Sequence, residues 1–593
     1  MYSHADIQQM PLSVPLFRRK VASFLERNGL RLEDVDLYLA ALSQDGDILA
    51  GGGLKADVLK CIAVDETVRS EGLMLPLVSA LISEAVQRGF KTQKVFTKPE
   101  NEEVFGSLGF HLIASAPKAI LLENGRGLED YCKSLGAFRK EGGCGVIVMN
   151  ANPFTLGHRY LIEQASSRVE RLIVIPVRED VSRFPYAWRL EMIRAGSGEL
   201  AEVVEGSAYQ ISSATFPTYF LKDLSDASET QMRLDLDLFG RHVAPALGAS
   251  VRFVGSETSD PLTARYNALM KEILPSYGIK VEVVPRMKSA NGRFIRATRV
   301  RGLLEQGRFK AASALTPAST HPYLKADLAA RALRLELGAP LKPGLVCPDS
   351  KGAHADMDYG LMLRSIEAIH PFFSKMAVAA SAGELRALGI EAEKAMMQAT
   401  GGVNAHRGAI YALGIALRAS AVLSGCSSQV SGDKILMNSA CMKIAVGLSR
   451  KSLEDNGLGD AAPSHGKEAA DKYGVRGARG MAEEGYKELF TYWLPYYSSI
   501  KKQPYALQRT LVMLIAALDD TCLIHRAGYG RAQQLRDEAA ELFGRIAHPD
   551  DYEETKQILE NLCERYASEG VSPGGCADML ALIIFIDSLF TNN

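Results

Sequence analysis

The sequence predicts a multidomain protein: an α+β section, then a parallel α/β, Rossmann-like section, then an all-α section. Three observations carry this. A chain of 593 residues is too long for one hydrophobic core. Between about residues 143 and 310, strand-like runs alternate with helical segments, as in βαβ units. Beyond residue 321 the strand-like runs nearly vanish, and long Ala-, Leu- and Met-rich helical stretches replace them.

In the first section DLYLAAL, KCIAVD, QKVFTK and AILLE read as short strands, and LPLVSALISEAVQRG as an amphipathic helix. In the second, GVIVMN, RLIVIPV, SVRFVG and KVEVVP are the strands. HRYLIEQASSR, YAWRLEMIRAG and TARYNALMKEIL are its helices. The link around Pro317 to Pro322 is short, so the second and third sections are expected to touch. Domain limits are drawn at 1–138, 139–315 and 321–593. No internal repeat or low-complexity segment is visible.

Composition narrows the function classes. The formal net charge of −1 supplies no whole-molecule field for nucleic acid or an anionic membrane, so any anion site is local. Nine scattered cysteines without a CxxC pair favour reduced thiols over a disulfide framework or zinc ribbon. The N-terminus lacks a signal-peptide pattern, and no apolar stretch reaches the ~18–20 residues of a membrane span. A cytoplasmic protein is expected. The basic clusters sit in glycine-rich or helix-start contexts without an aromatic platform, which disfavours nucleic-acid binding.

The segment "GVIVMNANPFTLGHRYLI" places a turn at the carboxyl end of a predicted parallel strand, where helix N-termini favour anions. Gly157 permits close backbone approach, Thr155 can cap the helix, and His158 stands in its first turn. A neutral imidazole there can donate to a phosphate, more strongly if protonated. Arg178, Arg183 and Arg189 follow the second strand. Arg293, Arg296, Arg299 and Arg301 crowd beside Thr298 at a helix start, a pattern suited to polyphosphate.

The TxGH turn, paired with this late segment, resembles the nucleotidylyltransferase superfamily, and "MNANPFTLGHRYLIEQA" resembles the citrate lyase ligases in particular. The resemblance implies ATP over the turn and acetate activated as acetyl-adenylate. The acetyl group would then pass to the prosthetic-group thiol of the citrate lyase acyl carrier protein. It also implies ATP contacts from Asn152, Phe154, Thr155, Gly157, His158, Arg189, Thr298 and Arg301, with His158 catalytic. Arg296 stands where the family usually has serine. Residues 35–125 resemble an acetyltransferase domain; Arg69 and Gly72 match its pyrophosphate loop, whereas Met74 replaces a small residue. A binding role, for a pantetheine arm or carrier protein, is expected there.

In the all-α section, "KPGLV…GAHADMDY" leads into a helix on whose apolar face Asp358 is expected, with Asp356 the alternative as its N-cap. His406, Ile410, Leu413 and Leu417 share a helix face, which points the imidazole inward. Gly474, Gly477 and Gly480 interleave with Lys472, Arg476 and Arg479, as in a phosphate nest. Asp519 and Asp520 fall late in an apolar helix, where its dipole disfavours anions.

These segments, in this order, resemble the triphosphoribosyl-dephospho-CoA synthases, which join ATP to dephospho-CoA and expel adenine. The chemistry implied calls for a base, a proton for adenine and cations for the triphosphate. Asp356 and Asp358 are candidates for base or Mg²⁺ ligand, His354 and His406 for proton transfer, and Lys472, Arg476 and Arg479 for phosphate contact. Taken together, the two resemblances imply a bifunctional enzyme using ATP, Mg²⁺, dephospho-CoA and acetate. The alternatives are an adenylyltransferase acting on a phosphopantetheine-like acceptor and a non-catalytic lyase assembly factor.

Overall fold

The computed structural model describes residues 7–179, 182–211, 216–221, 226–257, 260–421, 430–455, 469, 472–475 and 477–591. Contacts divide the chain into two compact units, Met1–Ile295 and Arg296–Asn593.

The first unit holds two sheets. One has seven strands: β1 (Ile7–Gln9), β2 (Leu37–Leu42), β3 (Ile48–Lys55), β4 (Val58–Val64), β5 (Gln93–Thr97), β6 (His111–Ala116) and β7 (Ala119–Asn124), in the order β1-β2-β3-β4-β5-β7-β6. The helix Met74–Gln87 buries Leu77, Val78 and Leu81 on one face. The helix Pro15–Arg27 buries Val21, Phe24 and Leu25 in the core cluster that holds Tyr38, Cys61 and Phe96. Sequence reading found no strand at β3, because Gly51, Gly52 and Gly53 interrupt it. Those glycines are filled by neighbours: a Cβ on each would stand 2.7, 2.8 and 2.6 Å from Tyr38, Leu81 and Val35 respectively.

All pairings in this sheet are antiparallel except β4 with β5, which pair in parallel only at Val58↔Lys94 and Leu59↔Val95 and then diverge. A side chain from the second sheet's section fills the gap. The Tyr219 hydroxyl donates to Phe96 O at 3.1 Å and accepts from the Cys61 backbone, and Phe216 meets Phe96 edge-on at 5.6 Å. Backbone groups that divergence would otherwise strand are thereby satisfied.

The second sheet is fully parallel: β8 (Cys144–Met149), β9 (Arg171–Pro176), β10 (Glu202–Val203), β11 (Ala249–Gly255) and β12 (Lys280–Val284), ordered β10-β9-β8-β11-β12. The four predicted strands all form, their near-continuous apolar runs reflecting burial on both faces. Chain order reverses direction on either side of β8, so the crevice at its carboxyl end is the place where ligands bind such sheets.

The second unit is helical. After Ala297–Glu305 and Phe309–Ser313 come His321–Gly338, Tyr359–Val378, Ala382–Ala399, Arg407–Ala419 and Val430–Asp455; the last helix is Gly574–Phe590. That last helix is apolar on nearly every side, with Leu580 to Ile586 at most 2% exposed, and His321–Gly338, Arg407–Ala419 and Ala506–Ala517 pack around it. No helix among the described residues is long and apolar enough to cross a membrane.

Candidate functional sites

At the end of β8 the chain turns through Asn150–Phe154 into the helix Leu156–Ser166, capped by Thr155. The cap is reciprocal. Thr155 Oγ1 accepts from the His158 backbone N–H at 3.4 Å, and His158 Nδ1 accepts from the Thr155 N–H at 3.0 Å. With Nδ1 accepting, the proton sits on Nε2, leaving a donor on the far side of the ring. Burial, aided by the Arg286 guanidinium, holds the imidazole down to about 4, so it is neutral at physiological pH.

Phe154 and Arg189, read as ATP contacts, hold the turn instead. Phe154 is fully buried and stacks on His158 at 5.6 Å; a Cβ on Gly196 would lie 2.3 Å from its ring. Arg189 is 0% exposed: its guanidinium donates to Asn150 O and Oδ1 (3.0 and 2.6 Å), Val177 O (2.8 Å), Phe184 O (3.0 Å) and Glu179 O. It ties the loop after β8 to the loop after β9, and those donors are committed to protein carbonyls. Asn152 accepts from Phe184 N at 3.2 Å. Gly157 runs beside Ile295, whose carbonyl would be 3.4 Å from an added Cβ.

Two residues that sequence reading missed stand beyond the ends of β11 and β12. Arg286 pairs with Glu257 at 2.6 Å, and its charge acts on His158. A lone arginine after a strand carried no recognisable spacing. Thr298 and Arg301 belong to the second unit, where Arg301 donates to Thr298 Oγ1 at 3.3 Å. Arg296 is the N-cap of Ala297–Glu305 and makes no side-chain cap, as expected where a guanidinium replaces a hydroxyl. In the first sheet's domain, Gly72 is left-handed at φ +74° ahead of Met74, and Arg69 pairs with Glu66 at 3.1 Å on the surface.

The second unit contains a cavity of ≈ 520 Å³. His354 and His406, from distant stretches of sequence, line it together with Asp356, Lys342, Glu336, Arg526 and Asp578. The starts of Arg407–Ala419 and Gly574–Phe590 converge on it, each presenting the positive end of a helix, and Thr521–Ala527 contributes Cys522, His525 and Arg526.

His406 is 3% exposed, as its helix periodicity predicted. Its Nδ1 lies 2.7 Å from Ser365 Oγ, and its Nε2 meets no protein hydrogen-bonding group. Burial, with Lys342 nearby, holds it down to about 4. His354 differs: Arg526 donates to Nδ1 at 3.1 Å, so Nε2 carries the proton toward Ser572 Oγ at 2.9 Å. Both its nitrogens are engaged. Burial and Arg526 lower its pKa. Lys342 and Glu336 form a buried ion pair in the wall, 3% and 4% exposed.

The two aspartates exchange the positions expected of them. Asp358 is exposed and caps Tyr359–Val378, accepting from Leu361 N at 2.8 Å; it does not face the core. Asp356, also exposed, lines the cavity 4.0 Å from His354 Nδ1. Asp520 likewise begins a helix rather than ending one. It accepts from Cys522 N and Leu523 N at 2.8 and 3.1 Å, and from Cys576 N at 2.8 Å, so the dipole favours it. Lys472 lies exposed over the Tyr473 ring, and Arg479 pairs with Glu483 at 3.3 Å; neither is among the cavity-lining residues. Arg476 lies outside the described residues. Among the described residues no three carboxylate, imidazole or thiol groups cluster as a preformed metal site. Mg²⁺ held by phosphates, water and one or two carboxylates needs no such cluster, and the carboxylates lining the cavity are Glu336, Asp356 and Asp578.

Fold and sites thus define a multidomain protein, a mostly antiparallel sheet domain and a parallel α/β sheet domain followed by a helical unit with its own cavity. The model described as "Citrate lyase ligase C-terminal domain" matches residues 144–324, and "ATP:dephospho-CoA triphosphoribosyl transferase" matches 323–593. The "[Citrate [pro-3S]-lyase] ligase" of Klebsiella pneumoniae is 41% identical over 52% of this chain and 92% of its own length. That of Haemophilus influenzae is 39% identical over 51% and 94%. An Azotobacter vinelandii protein named "Probable 2-(5''-triphosphoribosyl)-3'-dephosphocoenzyme-A synthase" is 35% identical over 44% of this chain and 90% of that one. The chain belongs to the citrate lyase ligase family in its first part and to the triphosphoribosyl-dephospho-CoA synthase family in its second. It is therefore both a ligase and a transferase.

Proposed function

We propose that this is a bifunctional activating enzyme for citrate lyase, with domains at 1–138, 139–315 and 321–593. Its helical part joins ATP to dephospho-CoA at the ribose C1′, releasing adenine and forming 2′-(5″-triphosphoribosyl)-3′-dephospho-CoA. Its first part converts acetate and ATP to acetyl-adenylate and acetylates the prosthetic-group thiol on the lyase acyl carrier protein. The observation that carries the reading is the pairing of two separate sites, the His158 turn at the β8 switch point and the His406–Asp578 cavity, within regions that match these two families.

At the first site the Nε2–H of His158 would donate to the α-phosphate as negative charge builds there, an electrostatic and positional effect. Asn152, Thr155 and Gly157 would shape the phosphate cradle; Thr298 and Arg301 remain candidates for phosphate contact. At the second site His406, whose Nε2 has no protein hydrogen-bond partner, would take the proton from the 2′-hydroxyl of dephospho-CoA, with His354 oriented by Arg526. Asp356 would hold Mg²⁺ brought with ATP, and Lys342 and Arg526 would face the triphosphate. Lys472, Arg476 and Arg479 remain candidates for the outer phosphates. The unpaired thiols among the described cysteines support a reducing, cytoplasmic setting.

The test uses one preparation. With Mg²⁺, ATP and dephospho-CoA it releases adenine; with acetate instead, it exchanges pyrophosphate into ATP. Exchange that ignores acetate would point to another acceptor, and absence of both would overturn the reading.

A further inference from the structure

We infer that Asp578 is the general acid that protonates departing adenine in the helical unit's cavity. This rests on the transferase reading above. Asp578 lines the cavity from the first turns of Gly574–Phe590 and faces the start of Arg407–Ala419. Gly408 makes room for it: a Cβ there would lie 2.0 Å from Asp578 Oδ2. The carboxyl accepts from the Ala409 backbone N–H. Its ionisable surroundings are Asp520 at the neighbouring helix start, Glu336 on His321–Gly338, Tyr486, and the thiols of Cys522 and Cys576. The cation closest to Glu336, Lys342, is already its ion-pair partner.

A carboxyl placed beside two other carboxylates holds its proton more tightly than one in water. Burial, Asp520 and Glu336 together push Asp578 well above the ordinary carboxylate range. A neutral acid inside the cavity suits this reaction, because adenine is a poor leaving group as an anion and a good one once a ring nitrogen is protonated. In the step, the C1′–N9 bond breaks and its electron pair stays with the base. The Asp578 proton moves to an adenine ring nitrogen, and the 2′-hydroxyl oxygen of dephospho-CoA bonds to C1′. The hydroxyl proton goes to His406, and its later return to Asp578 restores both groups.

The test compares ATP with 7-methyl-ATP, whose base already carries the positive charge and leaves without an acid. Asp578→Asn in the full chain is expected to slow adenine release from ATP by about 100-fold or more. The same variant should release 7-methyladenine within a few-fold of the parent rate. Gly408→Ala, which displaces the carboxyl without removing it, should give the same contrast. An equal loss with both nucleotides, or no loss with ATP, would overturn the assignment. If the parent chain itself releases no adenine, the transferase reading fails instead.

Discussion

The Nδ1 of His406 lies 2.7 Å from the hydroxyl of Ser365, with both residues buried inside the helical unit. That bond fixes the ring while Nε2 has no protein hydrogen-bond partner, and burial holds the imidazole down to about 4. Because the folded pKa is below the unfolded value near 6.5, the unfolded chain binds more protons between pH 6.5 and 4. The stabilisation is complete above pH 6.5 and is lost as pH falls toward 4, by up to about 3 kcal/mol. Asp520 and Asp578, with raised pKa values, act in the opposite direction. The comparison is therefore between parent and His406→Gln: urea midpoints at pH 7 and 4.5 should fall less in the variant.

Asp356→Ala should lower adenine release by about 10-fold or more and raise the Mg²⁺ needed for half-maximal rate. Asp358→Ala removes a helix cap, at a cost of about 1 kcal/mol, and should keep adenine release within a few-fold. Steady-state rates and melting curves for both variants distinguish the two aspartates. Greater loss of activity with Asp358→Ala would reverse the assignment.

Arg189→Met should destabilise the first unit by about 3 kcal/mol, since it strands several buried carbonyls. A phosphate ligand would behave differently, raising the KM for ATP while leaving the melting temperature unchanged. Thermal unfolding read alongside pyrophosphate exchange decides between them.

His158→Ala should reduce acetate-dependent pyrophosphate exchange on the order of 10²-fold, the usual effect of losing one aimed donor. Adenine release should be untouched. Because His158 is already neutral, exchange should not titrate with an imidazole pKa between pH 6 and 8.

The three-section architecture was legible because each section writes its own periodicity. Parallel strands buried on both faces leave unbroken runs such as RLIVIP, and the Thr155 cap is a local signal that His158 completes. β3 was hidden because three glycines look like a loop until neighbouring side chains are seen to fill their places. Asp356 and Asp358 were confused because a helix start shifted by two residues exchanges cap and lining. Glu336, Lys342, Ser572 and Asp578 carried no local motif: they meet only through the packing of helices far apart in sequence. Arg189 misled because an arginine after a strand reads the same whether it faces a phosphate or buried carbonyls.

The most direct measurement is the mass of the product formed from dephospho-CoA and ATP by the intact chain. The account predicts one species equal to dephospho-CoA plus ATP minus adenine, in amounts matching the adenine freed. A product carrying an added adenylyl group, or recovery of both substrates unchanged, would contradict it.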